Sequence, residues 1–136
     1  METKICSQCQ KEKPLEEFSK RTKTTYRAEC KDCKKLTQQK IELQHKQETR
    51  DYIKSIKTNC AKCGETRHYL IDFHHINPLN KEIQIAAILS TSLKFEKRKI
   101  LIDNEVSKCI QLCSNCHREF HHLEKENNIT IQEYLK

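Results

Sequence analysis

Tryptophan is absent from this 136-residue chain, glycine occurs once and proline twice. Hydrophobic residues make up 35% and charged residues 33%, so there is little apolar material from which to build a large core. A fold of this size then needs another source of stabilisation, and bound metal is one. No apolar run approaches the roughly 20 residues that span a bilayer. No charged-then-apolar leader opens the chain either. Met1-Glu2-Thr3-Lys4 runs directly into a cysteine pair, and the expected setting is cytoplasmic and reducing, without a membrane. The apolar positions between 36 and 56 keep no heptad, which removes the basis for a long coiled coil.

The scarcity of those residues contrasts with nine cysteines. Eight of them fall in four Cys-x-x-Cys pairs: Cys6/Cys9, Cys30/Cys33, Cys60/Cys63 and Cys113/Cys116. In a reducing compartment such pairs are metal ligands more often than disulfides, and an odd total argues against a pure disulfide framework. Two sets of four thiols predict two structural zinc ions, each closed by two tight pairs. Gly64 directly follows one pair and suits the tight turn of a zinc knuckle. Thiol redox chemistry would need one exposed, low-pKa pair, whereas these come in sets. Cys109, the odd thiol, is expected to be a small buried hydrophobe on a strand.

Charge is uneven. Residues 1–57 hold 15 basic against 9 acidic side chains, net +6, and residues 58–136 hold 11 against 10. Each tetrad of thiolates with one dication contributes about −2, so the overall +7 falls to about +3 when both are metallated. A basic half beside a metal-rich half suits a polyanionic partner, the alternative being a solvated basic surface.

The organisation has three parts. Residues 1–35 form a four-cysteine zinc module. Residues 36–57 form a basic helical linker, inside a stretch from 34 that has no Gly or Pro. Residues 58–136 form a second unit. Lys46, Arg50, Lys54 and Lys57 line one helical stripe. It either tracks phosphates or is a solvated linker face. In the second unit, 67–74 reads as a strand, 81–91 and 94–106 as short helices, and 109–112 as a strand. Ser114 would cap a helix to about 126, and a last helix runs over 130–135. The fold class is a small, zinc-stabilised α+β protein, with oligomeric state open and a dimer allowed.

Histidines supply the chemistry. A structural tetrad needs only four ligands, so the histidines beside it ask for a second role. His117 and His121 are four apart and share a helix face, whereas His122 is turned away. His74 and His75 are neighbours at a strand end and point to opposite sides. One can bind metal with His117 while the other meets substrate.

The combination Cys60-x-x-Cys63, Asp72-Phe73-His74-His75-Ile76-Asn77-Pro78 and Leu112-Cys113-x-x-Cys116-His117-x-x-x-His121 resembles the HNH (ββα-metal) endonucleases over residues 58–123. The four-cysteine module and helix ahead of it resemble, more loosely, segments of phage-type members. The resemblance implies a two-stranded ribbon and a helix around one catalytic divalent cation, of which Mg, Mn, Ni and Zn are candidates. It makes His75 the general base, His74 and His117 metal ligands, and His121 an additional one. Lys108 stands where that family carries its central Asn. The implied activity is phosphodiester hydrolysis in DNA, the alternative being a non-catalytic zinc protein that binds nucleic acid.

Overall fold

A computed structural model describes residues 2–136, which fall into two compact units divided between Gln44 and His45. Both are built from short antiparallel strand pairs and helices, so the chain is a small mixed α+β protein. The boundary between them falls inside a helix.

In the first unit, β1 (Thr3–Ile5) pairs with β2 (Glu12–Pro14), and β3 (Phe18–Lys20) pairs with β4 (Tyr26–Cys30). The Cys6–Cys9 pair occupies the turn between β1 and β2. The Cys30–Cys33 pair straddles the end of β4 and the start of α1 (Lys31–Ser55). Cys6, Phe18 and Cys30 are buried, with Cys9, Tyr26 and Cys33 packed against them. Cysteines are thus four of these six core residues, which fits a unit that has too few apolar residues to close by packing alone. Pro14 and Leu15 are only partly buried.

α1 starts earlier and ends earlier than the sequence predicts, at Ser55, so Lys57 leaves the helix. Leu36, Ile41 and Leu43 are exposed, in line with the missing heptad. No helix among the described residues is long and apolar enough to cross a membrane.

The second unit is organised by β5 (Ile71–His75) and β6 (Cys109–Cys113), in register from Ile71 opposite Cys113 to His75 opposite Cys109. The predicted strand over 67–74 begins later, because residues 68–70 make a 3₁₀ turn in which Leu70 N–H donates to Arg67 O. Between the strands lie α2 (Ile85–Ile88), far shorter than the predicted 81–91, and α3 (Phe95–Val106). α4 (Ser114–Asn127) follows β6 without a loop, and α5 (Ile131–Leu135) is closed by a capping box of Thr130 and Glu133. The cap of α4 is not Ser114 but Cys113, whose sulfur accepts from Cys116 N–H; Ser114 Oγ instead donates to Leu70 O at 3.2 Å. A thiol that must face its tetrad is well placed to take the first free amide of the helix.

Ile71, Leu112, Phe120, Ile131 and Tyr134 pack with Cys60, Cys113 and Cys116 into one core. Within this unit the second half of α1 is anchored to α3. The Tyr52 hydroxyl donates to the Asp103 carboxylate and its ring meets Phe95 edge-on at 6.1 Å. Gln111 on β6 donates to Ile56 O at 2.9 Å and accepts from Thr58 N–H at 2.7 Å, fixing the chain that leaves the helix.

Candidate metal centres and active site

Both predicted thiol tetrads assemble. Cys6, Cys9, Cys30 and Cys33 form one cluster, and Cys60, Cys63, Cys113 and Cys116 another, each with sulfurs within 4.8 Å of one another. Cys63 Sγ lies 3.6 Å from Cys113 Sγ. A disulfide needs about 2.0 Å. A tetrahedron with Zn–S of about 2.3 Å needs S···S of about 3.8 Å. The donor set and spacing therefore fit a structural metal ion such as zinc. Two turns present the pairs alike. Gly64 takes φ +78° and its N–H donates to Cys60 O at 2.9 Å, while Gln10 takes φ 57° and donates to Cys6 O at 2.9 Å. Glycine reaches that region without strain, and Gln10 holds it against its preference.

The thiol acidities suit a dication. In the first tetrad the amide of Cys9, helped by those of Cys30 and Gln8, pulls the Cys6 thiol down to about 6, while hydrogen bonding by Cys30 and burial push Cys33 up to about 12. In the second, burial opposes ionisation of Cys60, yet amide donors bring it to about 6, and burial with bonds to Cys113 and Cys63 lifts Cys116 to about 12. Four adjacent thiols cannot all carry negative charge unaided, and a bound dication removes that conflict.

A third cluster contains no sulfur. His74 at the end of β5 meets His117 and His121 on α4. His74 Nδ1 is 3.1 Å from His117 Nε2, which is 3.2 Å from His121 Nε2. Metal–nitrogen bonds of about 2.0–2.1 Å place neighbouring ligands about 2.9 Å apart at right angles and about 3.3 Å apart in a tetrahedron. The far sides of both helix histidines are fixed by carboxylates. His117 Nδ1–H donates to Asp72 at 3.3 Å and His121 Nδ1–H to Glu124 at 3.2 Å. An ionised carboxylate only accepts, so the protons sit on Nδ1 and the Nε2 lone pairs face one another. Burial, then the proximity of His117 and His121, holds His74 down at about 4, so its ring is neutral and able to donate a lone pair. Three imidazoles so arranged fit a divalent transition ion.

Asp72 is on the same strand face as His74, two residues away, and it orients His117. Asp72→Asn is expected to weaken nickel binding at the histidine cluster by about 10–100-fold, while both tetrads keep their zinc. Calorimetric titration on zinc-loaded protein reads this directly. An unchanged affinity would remove Asp72 from the site.

His75 lies on the other face of β5. It lines a cleft of about 420 Å³ together with Phe73, His117, Ile53, Lys57 and Lys81. A second cavity of about 620 Å³ shares His75 and Lys81 and contains His74, His117 and His121. His75 thus borders the histidine cluster without belonging to it. Its Nε2 is 2.9 Å from Glu105 Oε2, and Glu105 Oε1 accepts from Lys108 Nζ at 3.0 Å. Burial opposes ionisation of Glu105, but the bonds from His75 and Lys108 outweigh it and hold the carboxyl below its usual range.

Compared with family models, curated proteins and solved structures, the chain finds no match.

Of the residues singled out in the sequence, the structure brings together all eight paired cysteines and His74, His117 and His121. Lys46, Arg50 and Lys54 remain on α1, partly or fully exposed, and among the four basic stripe residues the cleft lining includes Lys57. Lys57 Nζ is 5.8 Å from the Phe73 ring centroid. His122 is exposed, and Cys109 is half-buried with its thiol donating to Glu105 O at 3.2 Å. Asn77 caps its own turn through Leu79 N–H. Sequence reasoning missed Asp72, Lys81, Glu105 and Glu124. Strand alternation could have found Asp72, and i,i+3 spacing from His121 could have found Glu124. Glu105 is 30 residues from His75, and no local pattern joins them.

Proposed function

We propose that the chain is a metal-dependent endonuclease hydrolysing DNA phosphodiesters, built on a ββα-metal arrangement of the HNH type. The observation that carries this reading is the convergence of His74, His117 and His121 beside a fourth histidine that borders a lysine-lined cleft. A structural unit has no use for three histidine lone pairs aimed at one point when its own thiol tetrad is already complete. The ribbon of β5 and β6 running into α4 supports the same reading, as does the positive net charge. Nine unbridged cysteines suit a reducing, cytoplasmic setting.

His74, His117 and His121 would hold the ion, which supplies charge stabilisation at a phosphoryl oxygen and at the leaving oxygen. The remaining chemistry belongs to the chain. His75 accepts a proton from water as the water oxygen forms its bond to phosphorus. The electron pair of the breaking P–O bond stays on the departing oxygen. Lys57 and Lys81 hold flanking phosphates by charge, and Lys46, Arg50 and Lys54 extend that contact along α1. The tetrad of Cys60, Cys63, Cys113 and Cys116 would keep the strand end and the helix in place, so that ligands from two elements meet.

Protein cleared of loosely held metal is expected to nick supercoiled plasmid when Mg, Mn, Ni, Co or Zn is restored, and to stop in chelator. Tight DNA binding without cleavage in any of these ions would replace this reading with a non-catalytic, zinc-containing nucleic-acid binder.

A further inference from the structure

Among the described residues Glu105 is the one buried acidic side chain. A carboxylate taken out of water is costly unless both oxygens find donors. Here each oxygen has one. Oε1 takes Lys108 Nζ at 3.0 Å, and Lys108 also reaches the exposed Glu82 at 2.8 Å. Oε2 is left for His75 Nε2 at 2.9 Å. The placement is set by the sheet. His75 pairs with Cys109, and Ile76 N–H donates to Lys108 O at 3.1 Å, so the last turn of α3 is carried against the end of β5.

We propose that Glu105 is a positioning residue for His75: it holds the neutral imidazole as the Nε2–H tautomer, so that the Nδ1 lone pair is what His75 presents for a proton. The catalytic part of this inference rests on the nuclease reading; the tautomer does not. An ionised carboxylate and an ammonium leave no ambiguity, because the first only accepts and the second only donates. Lys108 therefore decides which way the buried group is used. During attack the water proton moves to Nδ1, the water oxygen bonds to phosphorus, and the leaving oxygen keeps the electrons of the broken bond. The imidazolium so formed faces the Glu105 charge, which stabilises it without taking its proton.

Glu105→Gln separates this role from packing. The glutamine is nearly the same shape, but Lys108 can only donate, so the amide oxygen turns to Lys108 and the amide NH₂ to His75 Nε2. The imidazole proton is then forced onto Nδ1. In the double variant Glu105→Gln/Lys108→Met the amide oxygen is free to accept from His75 again. The measurement is long-range ¹H–¹⁵N correlation on the full zinc-loaded chain with ¹⁵N-labelled histidine, above the imidazole titration range. The His75 signals are assigned by their loss in His75→Ala.

The expected tautomers are Nε2–H in the wild type, Nδ1–H in Glu105→Gln and a return toward Nε2–H in the double variant. Cleavage by Glu105→Gln is expected to fall by about 10²–10⁴-fold in kcat, with KM and metal affinity at the histidine cluster unchanged and part of the rate regained in the double variant. A wild-type His75 protonated on Nδ1 overturns the proposal and needs no variant to be folded. So does a Glu105→Gln protein with the wild-type tautomer and rate. If the tautomers behave as expected but the wild type cuts no DNA with any ion, the nuclease reading falls and the positioning role stands.

Discussion

Replacing His75 with alanine is expected to remove nearly all DNA cleavage, by about 10²–10⁴-fold, while leaving zinc content, fold and DNA affinity as they were. The prediction rests on the division of the two adjacent histidines. His74 turns to α4 and shares a cluster with His117 and His121, whereas His75 turns to the cleft and to Glu105. Loss of the His75 ring removes no side chain from the histidine cluster and none from the tetrads. His117→Ala should behave differently. It deletes the central member of the cluster, so the ion binds weakly and high metal concentration restores part of the rate. Plasmid nicking across a metal titration separates the two. Equal loss in both variants with equal rescue by metal would make His75 a fourth ligand, not a base.

The second large effect concerns the tetrad of Cys60, Cys63, Cys113 and Cys116. Cys113→Ser is expected to unfold the second unit, losing α4 and with it the histidine cluster. Structural zinc contributes an apparent ~10–16 kcal/mol in small zinc folds, which matches or exceeds the ~5–15 kcal/mol total stability of an ordinary domain. Cys113 is also the cap of α4 and the partner of Ile71 at the end of the β5–β6 ladder. Zinc should fall from about two ions per chain to about one, with loss of helical circular dichroism. Cys109→Ser is the control. Burial, then the Glu105 charge, pushes this thiol up to about 11, and serine can keep its bond to Glu105 O. A Cys113→Ser protein that retains two zinc ions and its helix would mean that the tetrad is ornamental to the fold.

The resemblance to HNH endonucleases left one position out of place, Lys108. The structure gives that lysine a partner set of its own: Glu105 at 3.0 Å and Glu82 at 2.8 Å, with its backbone carbonyl on Ile76. A side chain held this way can fix the loop before β6 and the carboxylate next to His75 at the same time. The carboxylates around the site thus have separate tasks. Asp72 and Glu124 hold the rings of His117 and His121, and Glu105 faces His75.

The amino-acid sequence by itself determined the candidate metal-binding clusters of this protein. Paired thiols with two-residue gaps turn at one knuckle whatever surrounds them, and His117 and His121 share a face because a helix repeats every 3.6 residues. Strand alternation likewise sends His74 and His75 to opposite sides wherever the strand lies. These are short-range rules, and the observed clusters follow them. Element boundaries were less legible: α1 stopped before Lys57, α2 shrank to four residues, and Cys113 took the capping role assigned to Ser114. Contacts with distant segments accompany two of these: Gln111 holds Ile56 where the chain leaves α1, and Ser114 donates to Leu70 instead of capping α4. Only the tertiary structure could bring Glu105 and Lys108 to His75. Their meeting depends on how α3 lies against the β5–β6 ladder, and burial of a charge can be stabilised only after that packing has supplied its donors.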